Sequence, residues 1–309
     1  MSRILLLGGS GFLGRHVWRA FEGAGFEDVV AVRLGPRGSG DDARSLSADL
    51  TDRSAVLSLV ATVGPNVIVN CAGATVGSPA ALRRMNVQLV KNVLVAIRTA
   101  SAPPALVHLG SSAEYGRVPV GRPIRESDPA MPVSPYGRAK LAASQAILTS
   151  RPIAPATVLR VFNPVGLGAP AGSLLGSAIR LLRNAMAEGR DEIHLGRLDA
   201  YRDFVHVGDV ADAVVAAVRA VQAEYPSRVI INVGSGQATQ VRQLIRDLAA
   251  VSGFGGRIVE DTVADSSRSA DVPWQQADIS LAEVALRWRP TRTLVGALRD
   301  AWNLATEEG

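Results

Sequence analysis

Tyr136 and Lys140 stand four residues apart in the stretch "SPYGRAKLAASQ", Ser134 to Gln145. On a helix that spacing puts a phenol and an ammonium on one face. A phenol, with an ordinary pKa near about 10, is a sluggish acid–base catalyst at neutral pH. A neighbouring ammonium stabilises the phenolate and lowers that pKa, which suits proton transfer to or from a substrate oxygen. The choice of lysine carries information too. Of 33 Lys and Arg residues only two are lysines, Lys91 and Lys140. A guanidinium is a bulkier fork with other geometry, so Lys140 marks a place that arginine does not fill. The competing reading is chance placement of one of two lysines.

A second set of residues suits phosphate. "GGSGFLG" ends an apolar run and opens a helical pattern, with Gly8, Gly11 and Gly14 spaced as G-x-x-G-x-x-G. Glycine permits the tight turn, the close approach of a pyrophosphate and the packing of helix on strand. The helix N-terminus adds free amides and a positive dipole end. This is a dinucleotide site in its required strand–turn–helix context. Which dinucleotide turns on the end of the next apolar run, "VVAVRLGPRG". An acid there would accept from a ribose 2′-hydroxyl, whereas an arginine would meet a 2′-phosphate. Arg33 ends the run, Arg37 follows, and no acid precedes Asp41. That favours NADP(H), with NAD(H) the alternative and a solvated arginine the competing reading. Asp49, in "SADL", closes the third run. It either reaches an adenine amine or starts a helix.

The elements that must position these groups follow from periodicity. Short apolar runs ("RILLLGG", "DVVAVR", "SLSADL", "NVIVNCAG", "ALVHLGSS", "ATVLRVFN") alternate with helical patterns, among them one long helix over "SPAALRRMNVQLVKNVLVAIRTAS". This predicts an α/β fold, a doubly wound parallel sheet with helices on both faces. The second half is less regular: "EIHLG", then "DFVHVGDVADAVVAAVRAV" as a strand running into a helix, then "RVIINVGSG" and further helices. It predicts a small mixed α/β lobe made from returning segments. The chain of 309 residues is 47% hydrophobic and 20% charged, has no apolar run of about 20 residues, and no signal-peptide pattern at its start. The single cysteine, Cys71, excludes an internal disulfide and a cysteine-built zinc site, and no metal is expected. A cytoplasmic enzyme fits. The net charge of +5 comes from arginines scattered among acids, without a basic run, so no nucleic acid is expected as partner.

In order and spacing these motifs resemble the extended short-chain dehydrogenases/reductases that act on nucleotide sugars, the NAD-dependent epimerase/dehydratase family. The match runs from "GGSGFLG" through "DL" at Asp49, "NCAG" at Asn70, "MNVQLVKNVL" around Asn86, "GSSAEYG", "SPYGRAK", "LRVFNPVG" and "YRDFVHVGDVADAV" to "NVGSG" and "RSADV". The resemblance implies a Rossmann-type domain from residues 1–162 plus 204–235 and a nucleotide-sugar lobe from 163–203 plus 236–309. It implies Ser111, 25 residues before Tyr136, as the third catalytic residue beside Tyr136 and Lys140. It also implies a cofactor held by Gly8, Ser10, Gly11, Phe12, Leu13, Gly14, Arg33, Asp49, Leu50, Cys71, Ala72, Gly73, Asn86, Tyr136, Lys140 and Phe162. Ser112, Asn163, Arg202 and Arg268 would meet a nucleotide-diphosphate sugar, the two arginines on its diphosphate.

Departures narrow the reaction. Dehydratases of this family carry an Asp-Glu pair after the catalytic Ser/Thr, whereas this chain has Ser111-Ser112-Ala113-Glu114. The 3,5-epimerase-reductases carry a cysteine where Ala113 stands, paired with a histidine. His206 reads as a strand residue and Cys71 as a small buried one. Two reactions remain: reduction of a 4-keto sugar by NADPH, which "GSSAEYG", "YRDF" and Arg33 favour, and 4-epimerisation with bound NAD, which "FNPVG" resembles. From a different class, a non-catalytic NADP-binding sensor or scaffold would not need the Tyr–Lys pair. Leu82, Met85, Leu89, Val90, Leu94 and Ile97 give the helix over 81–101 a broad apolar surface, and with the helix over 136–150 they predict a homodimer through a four-helix bundle.

Overall fold

The computed structural model describes residues 2–33, 45–150, 154–223, 228–261 and 272–307. Arg37, Asp41 and Arg268 lie outside the described residues. The first half runs β1 (Ile4–Leu7), α1 (Phe12–Gly23), β2 (Val29–Arg33), β3 (Ser45–Ser47), α2 (Arg53–Val63), β4 (Val67–Asn70), α3 (Pro79–Arg83), α4 (Leu89–Thr99), β5 (Ala105–Ser111), α5 (Pro135–Thr149) and β6 (Ala156–Val161). The second half runs β7 (Pro164–Val165), α6 (Leu174–Ala187), β8 (Glu192–Leu195), β9 (Tyr201–Asp203), β10 (Val205–His206), α7 (Val207–Gln222), β11 (Arg228–Val233), β12 (Ala238–Gln240), α8 (Val241–Ser252), β13 (Arg257–Glu260), α9 (Ser280–Leu286) and α10 (Leu294–Glu307).

Seven strands form one sheet in the order β11-β6-β5-β4-β1-β2-β3, and every neighbouring pair in it is parallel. The apolar run of β1 shows why. Ile4 and Leu6 join Val17 and Phe21 of α1 and Val210, Val214 and Val218 of α7 on one face. Leu5 and Leu7 join Leu59 of α2, Leu89 and Val93 of α4 and Ile147 of α5 on the other. A strand covered on both faces must be apolar at every position. Each such side chain contributes about 1.5–3 kcal/mol on burial. The order reverses direction between β1 and β4, and in doubly wound sheets ligands bind at such a switch point, outside the carboxyl ends of the strands.

A third apolar cluster lies off the sheet. Leu175, Ile179 and Leu182 of α6, Ile193 and Leu195 of β8, Leu244, Ile245 and Leu248 of α8, and Leu298 of α10 form its core. Its strand pairs are mixed: β7 with β10 and β8 with β13 parallel, β9 with β12 antiparallel.

Three expectations need correction. The long helix is interrupted by a π turn at Arg84–Gln88, between α3 and α4. Asn86 sits in that turn and sends its side-chain amide to the carbonyls of Leu82 and, outside the helix, Ala74, both at 2.9 Å. Of its apolar surface, Leu82, Leu89, Val90 and Ile97 are buried within the chain, and Met85 and Leu94 stay half-buried. The third strand ends at Ser47, before Asp49, because Asp49 Oδ1 accepts from the amide and hydroxyl of Thr51 (2.8 and 2.7 Å) and turns the chain. The acid that starts the next helix is Asp52, whose side chain caps α2 through the Ser54 amide. The strand expected to run straight into α7 does so, but as β10 it is only two residues long, Val205–His206, and Phe204 separates it from β9. Among the described residues no helix is long and apolar enough to cross a membrane.

Candidate active site

The glycine turn expected to hold a dinucleotide lies where β1 meets α1. Gly8 has φ 79°, and a Cβ on it would come within 2.7 Å of the Ala72 amide nitrogen. A Cβ on Gly14 would lie 2.0 Å from the Gly8 carbonyl oxygen, so α1 packs on the turn only through glycine. Gly11 occupies the N-cap of α1 without any side-chain cap, which leaves the first-turn amides available to an anion. Ser10 and Gly11 are exposed there, with Phe12 and Leu13 half-buried.

The wall opposite is built by the loop after β4 and by the π turn. Asn70 is buried; its side chain accepts from the Ala72 amide (3.0 Å) and donates to His108 Nδ1 (3.0 Å). Burial holds His108 neutral, well below the usual imidazole range, and the charge of Lys140 pushes the same way. Asn86 Oδ1 is buried without a partner among the described residues, and a Cβ on Gly73 would lie 2.6 Å from it. An orphaned acceptor beside a glycine-lined cradle fits a bound dinucleotide. Burial pushes the Cys71 thiol up to about 12, which makes it an inert wall residue. Leu50 is buried, its carbonyl accepting from Asn92 (3.1 Å). Arg33 is half-buried at the end of β2, opposite Ser47 of β3.

Tyr136 and Lys140 lie one turn apart on α5, which starts at Ser134: its hydroxyl accepts from the Gly137 amide, with Pro135 in the first turn. Tyr136 is half-buried against Leu82, Val87 and Ala139. Lys140 is buried, and its ammonium donates to the Leu109 carbonyl of β5 at 2.5 Å. Burial lowers its pKa to about 8, opposed by the negative charge of Glu114 and by Cys71. Ser111 ends β5 and caps the short 3-10 turn Ser112–Glu114, accepting from the Ala113 amide (3.2 Å). One acceptor lone pair is thus engaged, and the hydroxyl keeps its proton to donate. Ser112 is buried beside it.

The remaining sequence candidates lie after β6. Asn163 is half-buried; its amide donates to the Asp203 carbonyl (3.0 Å) and to Gln275 Oε1 (3.4 Å). Arg202 is buried in β9, donating to the Tyr201 carbonyl (2.7 Å), and burial lowers its pKa to about 10. A guanidinium this desolvated gains from an anionic ligand. The Phe162 ring is wholly enclosed with Tyr115, Ile124 and Ala277. His206 caps α7, its Nδ1 accepting from the Gly208 amide (2.9 Å).

Sequence reasoning missed what braces this region. Glu114 Oε2 pairs with Arg160 Nε at 2.9 Å, both residues buried. Ser144 donates to the same carboxylate. Asp203 accepts from the amides of Ser235, Gly236 and Ala277 (2.6–3.0 Å), closing the base of the second lobe. One signal was in view: Arg160 interrupts the apolar strand "ATVLRV", and a charge in a strand covered on both faces demands a buried partner.

Comparison with known proteins agrees with this architecture. The model of the NAD dependent epimerase/dehydratase family matches residues 4–234. A dTDP-6-deoxy-L-talose 4-dehydrogenase (NAD(P)(+)) of Kitasatospora kifunensis is 36% identical over 307 residues, covering 97% of this chain and 95% of the relative. A UDP-glucose 4-epimerase of Yersinia pestis is 28% identical over 333 residues, covering 97% and 96%. The structure of RMD from Pseudomonas aeruginosa, solved with NADPH, superposes with a TM-score of 0.82 at 24% identity and full coverage of both chains, and is alike in fold.

Proposed function

This chain is an enzyme of the NAD dependent epimerase/dehydratase family, and from that premise we propose that it interconverts a 4-keto and a 4-hydroxy group on a nucleotide-diphosphate deoxysugar, running toward reduction with NADPH. The observation that carries this is the placement of Lys140, buried one helical turn from Tyr136 and anchored on the Leu109 carbonyl. Its relationship to a chain named as a sugar-nucleotide 4-dehydrogenase, at 36% identity along nearly the full length, supports the choice of the C4 redox step. Arg33 at the end of β2 supports NADP(H) over NAD(H).

The Gly8–Gly14 turn would hold the pyrophosphate of a bound dinucleotide and the Asn86 wall would line its site; the reduced cofactor would supply the hydride. The rest falls to the protein. Tyr136 delivers a proton to the carbonyl oxygen, and Ser111 donates a hydrogen bond to that oxygen as charge builds on it. Lys140 keeps a positive charge beside the phenol, from a position where low dielectric strengthens its effect. Residues 1–162 plus 204–235 hold the dinucleotide. Residues 163–203 plus 236–309 hold the sugar nucleotide, with Asn163 near the sugar and Arg202 and Arg268 on the diphosphate. Ser112 lines the same pocket.

Purified protein mixed with NADPH and a thymidine-diphosphate 4-keto-6-deoxysugar tests this. Loss of the NADPH absorbance band with formation of the 4-hydroxy sugar is expected. The second reading is a 4-epimerase with tightly held NAD, favoured by the likeness to UDP-glucose 4-epimerase. Release of NAD on denaturation, with 4-epimers interconverted and no net NADPH oxidation, would replace the first reading by the second. Two-fold pairing of α4 and α5 into a homodimer belongs to the same proposal. It rests on the half-buried band of Met85, Leu94, Leu141 and Leu148, and a monomer in light scattering at micromolar concentration removes it.

A further inference from the structure

Glu114 has no exposed surface, yet its carboxylate is one of the most engaged groups in the protein. Oε1 accepts from the Ser111 amide at 2.9 Å and from the Ser144 hydroxyl at 3.0 Å. Oε2 accepts from Arg160 Nε at 2.9 Å. The three donors come from three elements: the end of β5, the helix α5, and the strand β6. Ser144 follows Lys140 by four residues and Tyr136 by eight, so the three share one stripe of α5. The guanidinium of Arg160 lies 4.4 Å over the ring of Tyr115, and the Tyr115 hydroxyl donates to Asn232 at 2.6 Å. The ion pair is therefore held on both sides. A Cβ on Gly110 would lie 2.7 Å from Glu114 Oε1, so the strand residue before Ser111 also leaves room for this carboxylate.

A buried ion pair adds little stability over apolar packing, because desolvation offsets the attraction. What it does supply is geometry. From this juxtaposition we infer that Glu114 is the positioning residue of the site: one carboxylate fixes the end of β5 that carries Ser111 against the face of α5 that carries Tyr136 and Lys140, and Arg160 fixes the carboxylate. The inference rests on reading Ser111, Tyr136 and Lys140 as the reacting groups. It goes beyond that reading by assigning a residue that touches neither substrate nor cofactor.

Glu114 also sets the charge around Lys140. The ionisable groups interacting with that ammonium are Glu114 from the turn after β5, Cys71 from the loop after β4 and neutral His108 from β5; Tyr136 stands one turn away on its own helix. Glu114 heads those that favour the protonated lysine. Removing its charge makes Lys140 lose its proton at lower pH.

The chain's two lysines make this directly readable. Enrichment with lysine carrying carbon-13 at Cε gives two resonances, and exposed Lys91 serves as the internal reference. Glu114→Gln keeps the shape and removes the charge. The Lys140 resonance should then titrate at distinctly lower pH than in wild type. In turnover, kcat should fall about 10- to 100-fold, the scale of a small misplacement of reacting groups, with KM for NADPH and sugar nearly unchanged. Ser144→Ala cuts only the tie to α5; it should lower kcat less and leave the Lys140 titration in place. An unmoved Lys140 titration in Glu114→Gln, or an unchanged kcat, overturns the positioning role. If Glu114→Gln does not fold, an unchanged kcat in Ser144→Ala overturns it instead. The titration needs no substrate, so a failure of the sugar assignment shows as wild-type protein that does not oxidise NADPH, whatever Lys140 does.

Discussion

Lys140 turns its ammonium inward, onto the carbonyl oxygen of Leu109 at 2.5 Å, instead of out into solvent. That single bond ties α5 to β5 and places a positive charge one turn from the Tyr136 phenol. Lys140→Arg preserves the charge, yet the larger fork cannot occupy the same enclosed position. Turnover should collapse, while the control Lys91→Arg, at an exposed position, should leave rate and stability within about 0.5 kcal/mol of wild type. Steady-state rates and denaturant unfolding of the two variants check this.

Tyr136→Phe keeps the ring packed against Leu82, Val87 and Ala139 and removes the hydroxyl proposed to transfer the proton. Circular dichroism and NADPH binding should match wild type. Turnover should drop by at least about 100-fold, the usual scale of lost acid–base catalysis. Near-wild-type activity would remove Tyr136 from its role.

Burial depresses the pKa of Lys140 from 10.5 to about 8, so the unfolded chain holds this proton more tightly than the folded one. Its burden on stability is fully present below about pH 8 and is relieved as pH rises toward 10.5. Lys140→Met should therefore be more stable than wild type at neutral pH, by about 1–3 kcal/mol once the lost bond to Leu109 is allowed for. The gap should close with rising pH; Glu114, Cys71, His108 and Tyr136 are common to both proteins. Urea unfolding at several pH values reads this, and a gap that widens with pH would refute it.

Gly14→Ala places a methyl group 2.0 Å from the Gly8 carbonyl oxygen. The turn must shift, at a cost of about 1–3 kcal/mol. NADPH affinity should fall along with stability if this turn is the phosphate site, because the displaced backbone carries the amides assigned to the pyrophosphate. Fluorescence titration of NADPH decides it, and unaltered affinity would argue against this turn as the phosphate site.

Arg33→Asp should weaken NADPH far more than NADH on the proposed reading, which makes Arg33 the partner of the 2′-phosphate; the substitution would remove that partner and add repulsion. Equal losses for the two cofactors would remove the preference for NADP(H).

Local chemistry was legible in the sequence. Alternating apolar and helical periods gave the parallel sheet because strands covered on both faces must be apolar throughout, as Ile4, Leu5, Leu6 and Leu7 are. The glycine turn and the Tyr136–Lys140 pair were equally visible, since each depends on spacings of three or four residues. Tertiary structure alone decided what required distant segments to meet. Arg160 in an apolar strand announced that a partner was needed, but which of 28 acids it would meet depended on β6 folding beside the turn after β5. Asn86 looked like one position in a long helix. Only the fold shows its side-chain amide shared between the Leu82 carbonyl one turn back and the Ala74 carbonyl outside the helix, at the place where the helix widens into a π turn. Leu82, Leu89, Val90 and Ile97 read as an open apolar face, and packing against β5, α2 and α5 encloses them. A residue type fixes which contacts are possible, and burial, set by the whole chain at once, selects among them.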